Sequence, residues 1–405
     1  MTSVKGLRLT PLERRASISL AGIFALRMLG LFLVLPVLSL YADTLPGSNN
    51  SLLLGIALGI YGLTQALMQI PLGLASDHFG RKRIMVIGLL IFAFGSFVAA
   101  EAETLRMMAV GRALQGAGAI SAAITAMVAD TTRAEVRTRA MAMIGASIGL
   151  TFACSLVFGP ILYDRIGMDG LFWGTGVLAL LAIAVVLFVV PAEVPREDQA
   201  RPQSDKPHWR DVLLMPELLR LNLGIFLLHL MQVAMFVVIP VALVKYVGLA
   251  QGAHWKVYLP ALVGSLALMV PAIIMAEKYG RMRLVFISAI VVLLCTQTLL
   301  ALGWETPTVL LSAVFLFFLG FNILEACLPS LVSRVAPPQS KGLALGVYNT
   351  TQSLGFFAGG ILGGHISAFF GNSVVFSVCA ILVLIWLVVV CIAPPLEKSR
   401  LLRNS

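Results

Sequence analysis

The sequence predicts an all-α membrane protein of twelve transmembrane helices, built as two pseudo-symmetric six-helix bundles, and three observations carry that prediction. Composition comes first: of 405 residues, 59% are hydrophobic and 12% charged, at a mean hydropathy of +0.96, far from the globular mix. The apolar residues are also gathered into runs of about 20, the length at which a helix crosses a bilayer. Finally, the chain repeats itself without a gap at an offset of 200 residues, PLGLASDHFGRKR at 71–83 aligning with PAIIMAEKYGRMR at 271–283.

The runs cover residues 16–41, 52–76, 84–101, 105–130, 138–163, 170–192, 216–246, 255–277, 283–303, 307–333, 341–368 and 372–394. Lipid offers no partner to an open backbone, so each is expected to be helical. The first is prepared by Thr10-Pro11-Leu12-Glu13, with Thr10 as N-cap, Pro11 at the first helical position and Glu13 reaching back. Arg27 interrupts that run, no A-x-A site follows, and the run continues to Tyr41, so it reads as a span and not as a cleaved signal. Between spans 6 and 7 the composition changes to PAEVPREDQARPQSDKPHWRDVLLMPELLR, rich in proline and charge. The expected division is a first bundle at 1–193, a cytoplasmic linker at 194–215 with a short amphipathic piece at Trp209 to Leu214, a second bundle at 216–396 and a tail at 397–405.

Charge orients the spans. Of 29 Lys and Arg, Arg106, Arg165, Lys245 and Lys256 fall on one side and Arg27 and Arg112 within spans, leaving 23 on the side of the N-terminus. The positive-inside rule therefore puts both termini in the cytoplasm. The net charge of +10 is split into short clusters between apolar runs, a pattern of loops and not of a nucleic-acid surface. All five cysteines lie in apolar runs without a CxxC pair, so neither a disulfide framework nor a metal site is expected. No Walker A sequence, phosphate loop or nucleophile–base pair is present, so the chain is expected not to be an enzyme, to need no cofactor and to draw on a proton gradient instead.

Gly73-x-x-x-Asp77-x-x-Gly80-Arg81-Lys82-Arg83, in the loop after span 2, resembles motif A of the major facilitator superfamily. Arg112-Ala113-Leu114-Gln115-Gly116 resembles its motif B, and Gly159-Pro160 part of the motif C of its antiporters, where the pair packs helices. His78 stands where motif A usually has Arg or Lys, and Ala146, Ser155 and Tyr163 stand where motif C prefers glycine. LRMLGLFLVLPVL, GIYGLTQALMQIPLGLASD, GRALQGAGAI, AHWKVYL and EACLPSL are similar to the YajR group of inner-membrane transporters, some of which carry a soluble domain after helix 12; here the sequence stops at Ser405. The resemblance implies a conformational gate. Asp77 would accept hydrogen bonds at the N-terminus of helix 11, near Lys341; Gly80 would permit the tight turn; and Arg81 would pair with Asp130. The plainer reading is that Arg81, Lys82 and Arg83 only set topology, and for Lys82 it is preferred.

Charges inside spans are costly and normally face a cavity or a partner. Glu325 is the only acid well inside an apolar run. Desolvation favours its neutral form, making it a candidate proton carrier, with a substrate-cation contact or a structural pair as the alternatives. His229 is its candidate partner; Arg27 and Arg112 complete the proton-coupling set, each with a scaffold role as the alternative. Polar residues at helical spacing sketch a substrate cavity: Tyr61, Gln65 and Gln69 on helix 2, Gln232 beside His229, Asn322 one turn before Glu325, and Asn349 and Gln352 on helix 11, with Phe236, Phe318 and Tyr348 adding aromatic surface. A few polar groups among apolar walls suit an amphipathic organic molecule better than a sugar. Gly55-x-x-x-Gly59 and Gly145-x-x-x-Gly149 read as packing seams.

The expected function is secondary active transport by alternating access: proton-coupled export of small amphipathic or hydrophobic compounds from a bacterial-type cytoplasmic membrane. The partners are a small-molecule substrate, protons and lipid, with no nucleic acid. One chain holds both halves and is expected to work as a monomer. A metabolite symporter or importer, or a transport-incompetent receptor on the same fold, are the alternatives.

Overall fold

A computed structural model describes residues 9–42, 44–46, 51–192, 214–337 and 340–394. The tail at 397–405 and the linker up to residue 213, with all of its amphipathic piece but Leu214, lie outside the described residues. No strand occurs among the described residues. The helices are α1 (Pro11–Phe32), α2 (Leu35–Ala42), α3 (Ser51–Phe79), α4 (Arg81–Ala100), α5 (Leu105–Ala117), α6 (Ser121–Thr131), α7 (Ala134–Phe188), α8 (Pro216–Val247), α9 (Trp255–Lys278), α10 (Met282–Gly303), α11 (Pro307–Val335), α12 (Lys341–Phe370) and α13 (Asn372–Ile392). Their bounds follow the twelve apolar runs within a few residues, with three informative departures.

The first run is broken at Leu33–Val34, separating α1 from α2. Pro36 explains it, since proline has no N–H for the Phe32 carbonyl and its ring crowds that carbonyl. The fourth run is broken at Gly118, which ends α5 with φ −70° and ψ 40°, and resumes at Ser121. Close packing accompanies this break: a Cβ at Gly118 would overlap the Gly88 carbonyl of α4 and lie 3.0 Å from Phe92 Cβ. The fifth and sixth runs join as the continuous α7, divided only at Gly167, whose φ of 71° and ψ of 179° are not helical. Split there, α7 supplies two spans, so the described residues hold the twelve expected.

Contacts divide the chain into two compact units, residues 1–47 with 60–204 and residues 48–59 with 205–405. In the first, α1 and α4 both pack on α7, and α4 packs on α5. In the second, α8 packs on α12, α10 on α11 and α13, and α9 on α11. Glycine lets backbones meet: a Cβ at Gly55 would overlap the Gly360 carbonyl, whereas Gly145 and Gly149 have nothing within 4 Å of that position. The first glycine pair is therefore a packing seam, and the second has no such neighbour.

The loop cations have a second use beyond topology. The α7 C-terminus is capped by Arg15, which donates to Val189 O (2.9 Å) and Phe188 O (3.2 Å), and by Lys82, which donates to Val190 O (2.6 Å). In the second unit Arg283 donates to Cys391 O (3.0 Å) and Arg220 to Pro394 O (3.1 Å), capping α13 in the same way. A helix end leaves carbonyls unpaired and carries partial negative charge, and cations answer both. Gly80 and Gly280, matched by the internal repeat, both have positive φ, 96° and 66°. Thr10 and Glu13 form the expected capping box, and the Glu13 carboxylate extends it by pairing with Arg133 at 2.8 Å.

Candidate functional site

Arg27 and Arg112 are 1% and 0% exposed, and both are held at the helix breaks of the first unit. Arg27, on α1, donates from Nε to Gly118 O (3.2 Å), from Nη1 to Ser121 Oγ (3.1 Å) and from Nη2 to Gln65 Oε1 (2.9 Å). It thereby bridges the break between α5 and α6 to α3. Arg112, on α5, donates from Nη1 to Gly30 O (3.1 Å), three residues before the break in the first run, and to Gln115 Oε1 (2.9 Å). Each arginine thus serves a carbonyl at or near the interruption of the other's helix pair. Tyr61 lies under both, its ring centroid 5.7 Å from Arg27 Cζ and 5.0 Å from Arg112 Cζ. Gln115 passes the chain on to Ser96 Oγ at 2.8 Å, and Ser96 to Phe92 O. Gly159 of α7 packs on the same region, where a Cβ would lie 2.8 Å from Leu33 O and 3.2 Å from Pro36; Pro160 follows it inside the helix.

The motif around Asp77 closes as its residue types suggest. Arg81 reaches Asp77 at 2.6 Å, Asp130 at 3.2 Å and Ser76 Oγ at 2.6 Å, with its own side chain 8% exposed. Ser76 in turn donates to Gly73 O, so Gly73, Asp77, Gly80, Arg81 and Asp130 belong to one cluster at the α3–α4 turn and the end of α6. The repeat in the second unit is simpler: Glu277 pairs with Arg334 at 3.1 Å, both half exposed.

In the second unit His229 of α8 is 2% exposed and edge-on to Phe321 and Phe356, at 5.5 and 4.8 Å between centroids. Its Nδ1 lies 3.1 Å from Ile225 O. A carbonyl only accepts, so Nδ1 carries the hydrogen, and Nε2 of the neutral ring is an acceptor. Gln352 of α12 fits that form, its Nε2 standing 2.8 Å away as donor. Glu325 Oε2 stands 3.7 Å from the same imidazole nitrogen and has no hydrogen-bond partner. In its neutral form the histidine accepts from the Gln352 amide, and an unsatisfied carboxyl oxygen stands beside the pair.

The structure thus joins Glu325 with His229, as the residue types suggested, and adds Gln352, expected in the substrate cavity. Asn322 donates to Ser265 Oγ of α9 at 2.9 Å, and Gln65 is engaged by Arg27. Gln232 and Tyr348 each keep a buried, unpartnered oxygen, as do Tyr61 and both ends of the Gln69 amide; Asn349 is half-buried on α12. Phe236 lines a small apolar pocket with Ile239, Tyr258, Phe317 and Phe318. Sequence reasoning missed Ser121, Ser96 and the Gly118 carbonyl. The Gly-x-Gly at 116–118 is the one signal that marked the last of these.

Eleven long apolar helices among the described residues, the longest supplying two spans, with ionisable groups held in their interior and a repeated charged turn, define a multi-pass membrane transporter. The profile of the Major Facilitator Superfamily matches residues 20–359 and 221–404, and the chain belongs to that superfamily. It is 44% identical to the inner membrane transport protein YajR of Escherichia coli K12 over 385 residues, 94% of this chain and 84% of the relative. It is 25% identical to multidrug resistance protein 2 of Bacillus subtilis over 86% of this chain and 87% of that one. Among solved structures, a bacterial homolog to the human lysosomal transporter Spinster superposes with a TM-score of 0.73 at 13% identity, over 95% of this chain and 97% of that one.

Proposed function

We propose that this transporter exports small amphipathic organic compounds from a bacterial inner membrane in exchange for protons, with Glu325 as the proton carrier and His229 as its partner. The observation that carries the proposal is the Glu325 Oε2 atom, unpartnered and 3.7 Å from a His229 nitrogen that Gln352 keeps in its accepting form. A proton arriving there bonds to the carboxylate and turns a charge held within a span into a neutral carboxylic acid beside the imidazole. Losing that proton on the other side of the membrane completes the cycle, as alternating access requires. The Asp77–Arg81–Asp130 cluster acts as the gate, biasing which side is open by about 1–3 kcal/mol, the scale of allosteric coupling. The similarity to a multidrug resistance protein supports an amphipathic cargo.

The test is flux in proteoliposomes under an imposed pH gradient, with labelled chloramphenicol as the probe and protein-free liposomes as the blank. Glu325→Gln is expected to abolish gradient-driven accumulation while exchange of labelled for unlabelled probe persists. Active accumulation at the wild-type rate in Glu325→Gln refutes the carrier role.

A further inference from the structure

We infer that Arg112 is a preformed receptor for the carboxylate of the transported compound, so that the cargo is an amphipathic organic acid. The inference rests on the transport reading above and names its substrate class. Arg27 and Arg112 are equally buried, yet they spend their donors differently. All three guanidinium nitrogens of Arg27 donate, to Gly118 O, Ser121 Oγ and Gln65 Oε1, so Arg27 is a brace. Arg112 makes both of its hydrogen bonds through Nη1 alone, and its Nε and Nη2 have no hydrogen-bond partner although they are buried.

Those two nitrogens form one edge of the guanidinium, and their N–H bonds run parallel at the spacing of two carboxylate oxygens. Anchoring Nη1 on Gly30 O and Gln115 fixes the plane and leaves that edge on offer. Buried donors are rarely left unmet, and the exceptions call for a ligand or a mechanism. No carboxylate lies within 4.0 Å of either guanidinium among the described residues, so the protein does not supply the counter-charge itself.

The neighbouring face of α3 is unspent in the same way. Tyr61, whose ring covers Arg112 Cζ at 5.0 Å, has an unpartnered buried hydroxyl. Gln69, two turns along the same face and about 12 Å away by helical rise, has both amide ends unpartnered and is 2% exposed. An acid with its carboxylate on Arg112, a ring or short chain against Tyr61 and a second polar group at Gln69 uses every one of these atoms. Arg112 is enclosed in this structure, so the acid reaches it when the transport cycle opens the site.

The test is binding to the purified full-length protein in detergent, read as the thermal unfolding midpoint. The probes are salicylate, benzoate and octanoate, each beside its amide. Because no gradient is present, a failure of proton coupling leaves the result intact. At least one acid is expected to raise the midpoint saturably and its amide not to; apparent affinity should fall at least tenfold in Arg112→Lys, which keeps the charge and loses the fork. Lys82→Gln, which uncaps α7 away from the site, should lower the midpoint and leave the acid-to-amide difference unchanged. If Arg112→Lys does not fold, Tyr61→Phe and Gln69→Leu carry the test, each with a loss of at least threefold. Equal stabilisation by acid and amide, no saturable effect from any of the three acids, an affinity untouched by these substitutions, or full competition by chloride each overturns the assignment.

Discussion

His229 shows how one backbone carbonyl settles the chemistry of a ring. Because Ile225 O accepts from Nδ1, the histidine presents a lone pair at Nε2, and Gln352 occupies it. Nitrogen NMR of the histidine-labelled protein at neutral pH should therefore show a protonated Nδ1 and an unprotonated Nε2; a hydrogen on Nε2 contradicts the arrangement. The cost of ionisable groups in spans made Glu325 and His229 legible in the sequence. Gln352 was legible only as a polar residue, because its partner lies 123 positions away. Asn322 was likewise legible only as a polar residue, and it donates to Ser265, 57 positions distant. Helical spacing tells which face a side chain occupies and not which neighbouring helix it meets.

At the scale of helices, the spans were legible to within about five residues, because hydropathy and caps are local. The breaks in the first and fourth runs were not expected, although Pro36 carried the signal for one of them. Arg27 is the brace of the second break, and Arg27→Lys, which keeps the charge but not the three-way geometry, should lower stability by about 2 kcal/mol, read by thermal unfolding in detergent. An unchanged midpoint would mean the three bonds do not hold the break. Gly159→Val puts side-chain atoms against Leu33 O and should cost about 1–3 kcal/mol by overpacking in the same assay. The C-terminal caps are smaller effects: Lys82→Gln and Arg283→Gln should each cost about 0.3–1 kcal/mol, and each should weaken with added salt. Sequence reasoning treated Lys82 as a topology signal alone, since a cap on Val190 O is set by how α4 and α7 pack.

For the molecule as a whole, the internal repeat did most to reveal the architecture, and Gly80 and Gly280 both keep a positive φ. The two halves differ in how those charges pair: Asp77 shares Arg81 with Asp130, whereas Glu277 has Arg334. If the first cluster is the gate, Asp77→Asn should shift the populations of inward- and outward-open states, measured as distributions of distance between spin labels placed on the two halves. Identical distributions in mutant and wild type contradict a gating role and leave the cluster as a fold element. Coupling belongs to this scale too, because a proton carrier acts only if the whole molecule exposes it to both sides in turn. The most direct measurement is of the protons themselves, with a pH-sensitive dye trapped inside proteoliposomes while an outward gradient of chloramphenicol is applied. The wild type should move protons as the probe moves, and Glu325→Gln should let the probe equilibrate with no change in dye signal; proton movement at the wild-type rate in that variant would contradict the account.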